Sequence, residues 1–142
     1  RIFVGVKLAD GDREKQHIIG HLTGKGFPVV DMTDNELAKL HVRHMVGGRV
    51  AQLEDEQLYR FQFPERPGAL LAFLEGLRPD WNISLFHYRN HGADYGRVLA
   101  GVQVRNGGQA AFERYLDTLD CPFWNETDNP AYRLFLDGRP AS

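Results

Sequence analysis

The order of alternating and amphipathic segments in this 142-residue chain predicts an α+β fold, an antiparallel sheet with helices on one face. Three observations carry that expectation. From residue 57 onward the patterns follow one another as strand, helix, strand, strand, helix and a short apolar segment. Two stretches, 3–40 and 99–135, resemble each other, so one supersecondary unit recurs. The composition, 42% hydrophobic and 25% charged, is that of an ordinary globular domain, and a chain of this length buries a core without disulfides or metal.

Residues 2–8 alternate and are rich in β-branched side chains, which predicts a strand. Residues 12–24 set Ile18, Ile19 and Leu22 on one helical face, and Gly24 and Gly26 stop the helix. FPVVDM, 27–32, reads as a short strand. ELAKLHVRHMV, 36–46, spaces Leu37, Leu40 and Val46 helically and reads as a connecting helix ahead of Gly47-Gly48 and a polar linker at 49–56. QLYRFQF, 57–63, alternates as a strand with Tyr59, Phe61 and Phe63 on one face. A helix over 67–77 opens on Pro67, which suits the first helical position, and buries Leu70, Phe73, Leu74 and Leu77. NISLFHYRN, 82–90, is a second strand, HGADYG a turn, and RVLAGVQV, 97–104, a third strand. Residues 108–119 form a helix with Phe112, Tyr115, Leu116 and Leu119 inward, and PAYRLFL, 130–136, reads as a fourth strand. The order β-α-β-β-α-β is the ferredoxin-like split unit, in which the first strand pairs with the third.

In the repeat, Gly5-Val6 answers to Gly101-Val102, and Thr-Asp-Asn recurs at 33–35 and 127–129. The counterpart of residues 56–96 would fall before residue 33, where there is no room for it. The reading therefore expects the back half of a first unit at 1–35, a connector at 36–56, a complete second unit at 57–138 and a tail at 139–142, in a truncated chain that opens within a β-like run.

Net charge is −2 with both signs interspersed, so no basic stripe is offered to nucleic acid, and no apolar run is long enough to span a membrane. The single cysteine, Cys121, suits a reducing compartment, and a cytoplasmic protein is expected. His17 and His21, and His41 and His44, stand at helical spacing, but neither pair has a third ligand nearby, so surface histidines are expected and no metal. Cys121 has no paired base, and no phosphate-binding glycine motif is present. No catalytic residue is assigned.

The loop in FPERPGALLAFLEGL, residues 63–77, admits two readings. Pro67 and Gly68 can simply enter a helix. Alternatively, the amides of the first helical turn face a small carboxylate, with Leu70 and Leu71 beside an aliphatic side chain. Tyr88 and Arg89 in LFHYRNH stand near the end of the neighbouring strand, either as part of such an amino-acid site or as a solvated strand end.

FPERPGALLAFLEGL together with WNISLFHYRNHGADYGRVLAGVQV closely resembles the second ACT-like regulatory unit of biosynthetic threonine deaminase, also called threonine dehydratase. LAKLHVRHMVGGR resembles the connector between the two ACT-like units of that family, and ETDNPAYRLFL its C-terminal end. The resemblance implies a regulatory domain, itself not an enzyme, that binds isoleucine as inhibitor and valine as opposing activator. It implies partnership with the enzyme's own catalytic domain, where pyridoxal phosphate converts threonine to 2-oxobutanoate and ammonia in isoleucine synthesis, and a homo-oligomer that is tetrameric at full length. This chain would carry no cofactor. Tyr88 and Arg89 match the effector-sensing tyrosine and its neighbouring arginine, Arg43 matches a connector arginine tied to feedback sensitivity, and Glu65, Arg66, Pro67, Gly68, Ala69 and Leu70 match the loop that approaches the effector. An assembly module without its own effector site is the alternative, and a small standalone enzyme a third reading.

Overall fold

The computed structural model describes residues 4–42, 53–90, 94–105 and 107–136. They form α1 (Gly11–Gly24), α2 (Glu36–Leu40), β1 (Glu56–Pro64), α3 (Ala69–Glu75), β2 (Trp81–Arg89), β3 (Tyr95–Val104), α4 (Gln109–Asp117), β4 (Phe123–Asn125) and α5 (Pro130–Phe135). The sheet runs β2-β3-β1-β4 and every neighbouring pair is antiparallel. First strand pairs with third, as the split unit requires.

Alternation along β1 feeds two cores, because successive side chains leave a strand on opposite faces. Tyr59, Phe61 and Phe63 point to one face with Val98, Ala100 and Val102 of β3. There α3 lays down Phe73, and α4 lays down Phe112 and Leu116. Edge-to-face rings lock this layer, Tyr59 on Phe112 and Trp81 on Phe112 at centroid distances of 5.5 and 5.0 Å. The other face carries Leu58 and Leu99, covered by Leu37 and Ala38 of α2 and by Ala131 and Tyr132 of α5. The unit's own helices α3 and α4 thus share one face, while α2 and α5 stand on the other.

Three sequence expectations are corrected. Residues 130–136 are helical rather than a strand: Pro130 occupies the first turn and the Asn129 side chain accepts from the Ala131 amide at 2.9 Å. The fourth strand is instead β4, whose Phe123 and Asn125 pair with Phe61 and Tyr59 of β1. Residues 4–8 and 27–32 are extended but form no ladder among the described residues, leaving Val4, Val6, Phe27 and Val30 exposed. Alternation fits a segment to a sheet, but only a partner's backbone makes it a strand. The connecting helix is shorter than expected, ending at Leu40; its continuation past Val42, Arg43 included, and the 91–93 part of the β2–β3 turn lie outside the described residues.

Three groups of polar side chains help hold the second face. The two Thr-Asp-Asn tripeptides meet: the Asn35 side chain caps α2 by accepting from the Ala38 amide, Asn129 caps α5, and Asn35 Nδ2 donates to Asn129 Oδ1 at 2.7 Å. The returning bond, Asn129 Nδ2 to Asn35 Oδ1, measures 3.3 Å. Glu56 accepts from Ser84 of β2 and from the Tyr132 hydroxyl of α5, each at 2.5 Å. It lies over Gly101, where a Cβ would stand 2.5 Å from its carboxylate oxygen. His41, just past α2, is wholly buried, with Nδ1 2.8 Å from Nδ1 of His87 on β2. The expectation of a surface histidine at 41 therefore fails.

Two outcomes follow from this face. Asn35→Ala and Asn129→Ala should each lower stability by about 1 kcal/mol, and the double variant should lose less than the sum, because the two caps share a hydrogen bond. Denaturant midpoints test this; strict additivity would mean the caps act alone. Burial, the facing His87 and the cations of Arg60, Arg89 and Arg97 hold His41 down at about 3. An unfolded histidine titrates near 6.5, so the unfolded chain binds the extra proton between those values. Stability therefore drops as pH falls below about 6.5, approaching a tenfold loss in the folding constant per pH unit from this proton. His41→Asn should remove that slope, read as a difference from the parent chain; identical slopes would show that His41 does not titrate on unfolding.

Candidate functional site

The loop between β1 and α3 leaves the sheet where β1 meets the start of β3. Its first residue is fixed by Glu65 N donating to Asp94 O at 3.0 Å, and Arg66 N folds back to Pro64 O at 2.9 Å. Gly68 then takes φ +84°, a left-handed conformation that a Cβ disfavours, and its carbonyl receives the Ala72 amide at 2.8 Å. Regular helix begins at Ala69 rather than at Pro67, and the Ala69 amide already donates to Arg66 O at 3.3 Å. Leu70 turns in against the α3–α4 core, while Pro67 stays exposed in the turn.

Tyr88 and Arg89 are parted by the sheet. Tyr88 stands opposite Val98, hence on the α3–α4 face, and Arg89 stands opposite Arg97, hence on the α2–α5 face. The Tyr88 ring crosses over Gly96 and its hydroxyl donates to Glu65 Oε1 at 2.5 Å. A Cβ at 96 would stand 2.6 Å from that carboxylate and 2.7 Å from the ring, so the glycine makes room for the contact. The acceptor carboxylate pushes the phenol pKa up, which keeps Tyr88 a neutral donor. The ring remains 42% exposed. Arg89 instead donates through Nη1 to Leu40 O at 3.3 Å, at the end of the connector helix and beside the His41–His87 contact. Neighbours in sequence, the two residues serve different surfaces.

On the far side of the same loop lies a cleft of about 350 Å³ between α3 and α4. Arg66 and Ala69 line it from the loop, with Phe63, Phe73, Tyr115 and Leu119 from the strand and helices. Across the mouth Arg66 Nη2 is 3.3 Å from Asp120 Oδ2. Tyr115 reaches over Gly76 and donates to Phe73 O at 2.5 Å; a Cβ at 76 would meet the ring at 2.5 Å. Cys121 lines the wall, and burial together with nearby Asp120 pushes its thiol up to about 11, so little thiolate is present at neutral pH and its reaction with electrophiles is slow.

The structure thus joins Glu65 to Tyr88, puts Arg66 and Ala69 on the cleft, and sends Arg89 to the opposite face. Asp120 and Gly96 were not singled out from sequence, and Tyr115 was read only as a core residue, since their roles at the site depend on which strand ends and helix ends are neighbours. Among the described residues no group of three or more histidine, cysteine, aspartate or glutamate side chains gathers as a metal would need. Nor is any described helix long and apolar enough to cross a membrane.

Residues 47–136 match the family model for the C-terminal regulatory domain of threonine dehydratase. The chain is 53% identical over 135 residues, 95% of its length, to L-threonine dehydratase biosynthetic IlvA of Burkholderia multivorans. It is 53% identical over 137 residues, 96% of its length, to the protein of the same name from Escherichia coli. It is 45% identical over 135 residues, again 95% of its length, to the mitochondrial threonine dehydratase of Saccharomyces cerevisiae. It covers 26% of each bacterial relative and 23% of the yeast one, so it spans about a quarter of the curated relatives it matches. The chain belongs to the family of C-terminal regulatory domains of threonine dehydratase.

Proposed function

We propose that this chain is an allosteric amino-acid sensor, taking isoleucine as inhibitor and valine as opposing activator. In this reading it controls a pyridoxal-phosphate domain that turns threonine into 2-oxobutanoate and ammonia for isoleucine synthesis, in the cytoplasm and within a tetramer. The complete ACT-like unit is 57–138, behind the back half of another at 1–35 and a connector at 36–56. The relatives' names support the enzyme class. The observation that carries the sensor reading is the Tyr88–Glu65 hydrogen bond over Gly96, which ties an exposed aromatic ring to the loop Glu65–Leu70.

Regulation requires the effector to bind two states of the whole assembly with different affinity, usually by about 1–3 kcal/mol. One route leads away from the loop. Arg89 and His87 follow Tyr88's strand to the end of α2, and so to the connector that holds Arg43. The cofactor belongs with the catalytic domain in this reading. A second reading, an assembly module, draws on β2 being an edge strand with Phe86 and Tyr88 exposed.

An NMR titration with L-isoleucine, against D-isoleucine and L-threonine, should shift residues 65–70 and 88–89 stereospecifically. Absence of shifts from a folded, self-associating sample would favour the assembly reading. Tyr88→Phe should weaken isoleucine binding roughly tenfold by calorimetry, as loss of a hydrogen bond to a charged group implies. Gly96→Ala should also weaken it while leaving Tm nearly unchanged, since the new methyl displaces only the ends of the Tyr88 and Glu65 side chains. Normal affinity in both folded variants would remove this contact from the sensor.

A further inference from the structure

We propose that the cleft between α3 and α4 seats the amino acid itself, its carboxylate on Arg66, its ammonium on Asp120 and its aliphatic side chain among Phe63, Ala69, Phe73 and Leu119. This deepens the sensor reading and rests on it, because it says where on the loop the effector sits.

Charge complementarity selects the occupant. Arg66 and Asp120 present one cation and one anion 3.3 Å apart at the rim of an apolar cleft. A free α-amino acid carries the same two charges on two groups attached to one carbon, from which its side chain also leaves. It can take the place of each partner toward the other, so both rim charges stay neutralised when it binds. A carboxylic acid alone would leave Asp120 facing an anion, and an amine alone would leave Arg66 facing a cation. Both rim residues are exposed, 60% and 89% at the side chain, so exchanging their mutual contact for a ligand costs little. A volume of about 350 Å³ lies at the small end of ligand sites and leaves room for a free amino acid with an aliphatic side chain.

The inner end is closed by Tyr115, whose hydroxyl is fixed on Phe73 O and whose ring lies against Gly76. The depth available to the side chain is thus set by a residue that cannot swing out without losing that bond. Arg66 brings the β1–α3 loop to the rim. On this reading Tyr88 grips the loop from the β2 side while the ligand pulls Arg66 from the α4 side, and Tyr88 acts as a positioning residue. Occupancy of the cleft is transmitted to β2 through the one loop that both contacts share.

Cys121 supplies a local readout, since it lines the cleft wall and is the chain's single cysteine. In the intact protein, methyl methanethiosulfonate modification should be followed at Cys121 by peptide mass spectrometry while L-isoleucine is titrated and its binding is measured by calorimetry. L-isoleucine should slow modification saturably, with the same midpoint as binding, and D-isoleucine should not. Asp120→Asn should raise that midpoint roughly two- to fivefold, as loss of an exposed charge partner implies. Ala72→Phe, at an exposed position on the cleft wall, should abolish binding without unfolding α3. Isoleucine binding with Cys121 unprotected, and with Ala72→Phe silent, would place the effector elsewhere, overturning the cleft and leaving the sensor reading intact. No isoleucine binding at all would overturn both. Protection that depends on protein concentration alone would mean that a second copy covers the cleft, and would also overturn the proposal.

Discussion

The β1–β3 ladder is the constraint from which the rest of the molecule takes its order. Nine residues of β1 run in continuous register with β3, from Glu56 opposite Gln103 to Pro64 opposite Tyr95. Both strands are central, so each contributes alternate side chains to both cores. A slip of one residue would send Phe61 and Phe63 toward α2 and α5, and Leu58 toward α3 and α4. It would also move Glu65 away from Gly96 and the Tyr88 hydroxyl, and the Glu56 carboxylate away from Gly101. Two polar contacts on opposite faces therefore depend on the same register as the hydrophobic layers.

That dependence gives the two faces different characters. The α3–α4 face is closed by aromatic packing, and its polar features gather at one end, where the β1–α3 loop, the start of β3 and the end of α4 converge. The α2–α5 face is closed by fewer apolar residues and relies on caps and clasps: Asn35 with Asn129, Glu56 with Ser84 and Tyr132, His41 with His87. The first face offers a ligand-sized space beside a loop. The second ties the connector helix to the sheet. β2 belongs to both, since Tyr88 reaches one face and His87 and Arg89 the other. A strand with this division can report a change on one surface to the other without any long-range path.

Much of this was legible in the residues. β1, β2, β3, α3 and α4 came from alternation and helical spacing, and the resemblance to the regulatory domain of threonine dehydratase agrees with the family match over 47–136. The error at 130–136 is instructive, because Thr-Asp-Asn-Pro carries its own correction. An asparagine followed by proline is a helix start, and the same tripeptide at 33–35 opens a helix as well. Apolar alternation in AYRLFL outweighed the cap in the reading, whereas in the structure the cap prevails. His41 was misread for another reason. Nothing local distinguishes a histidine that will be covered by a distant strand from one that will face water.

The sequence by itself determined the order of β1, α3, β2, β3 and α4, the aromatic face of β1 and the family, because periodicity is a local property and the motif strings are long. It also marked the loop Glu65–Leu70 and the strand residue Tyr88 as places of interest. Only the tertiary structure decided that Glu65 bonds Tyr88, that Arg66 faces Asp120 across a cleft, and that Arg89 belongs to the opposite surface. Each of those contacts joins residues from different elements, or separates adjacent ones by the pleat of a strand. The register of β1 on β3 and the packing of α4 beside α3 set them, and both arise from how apolar faces are buried together rather than from any short run of residues.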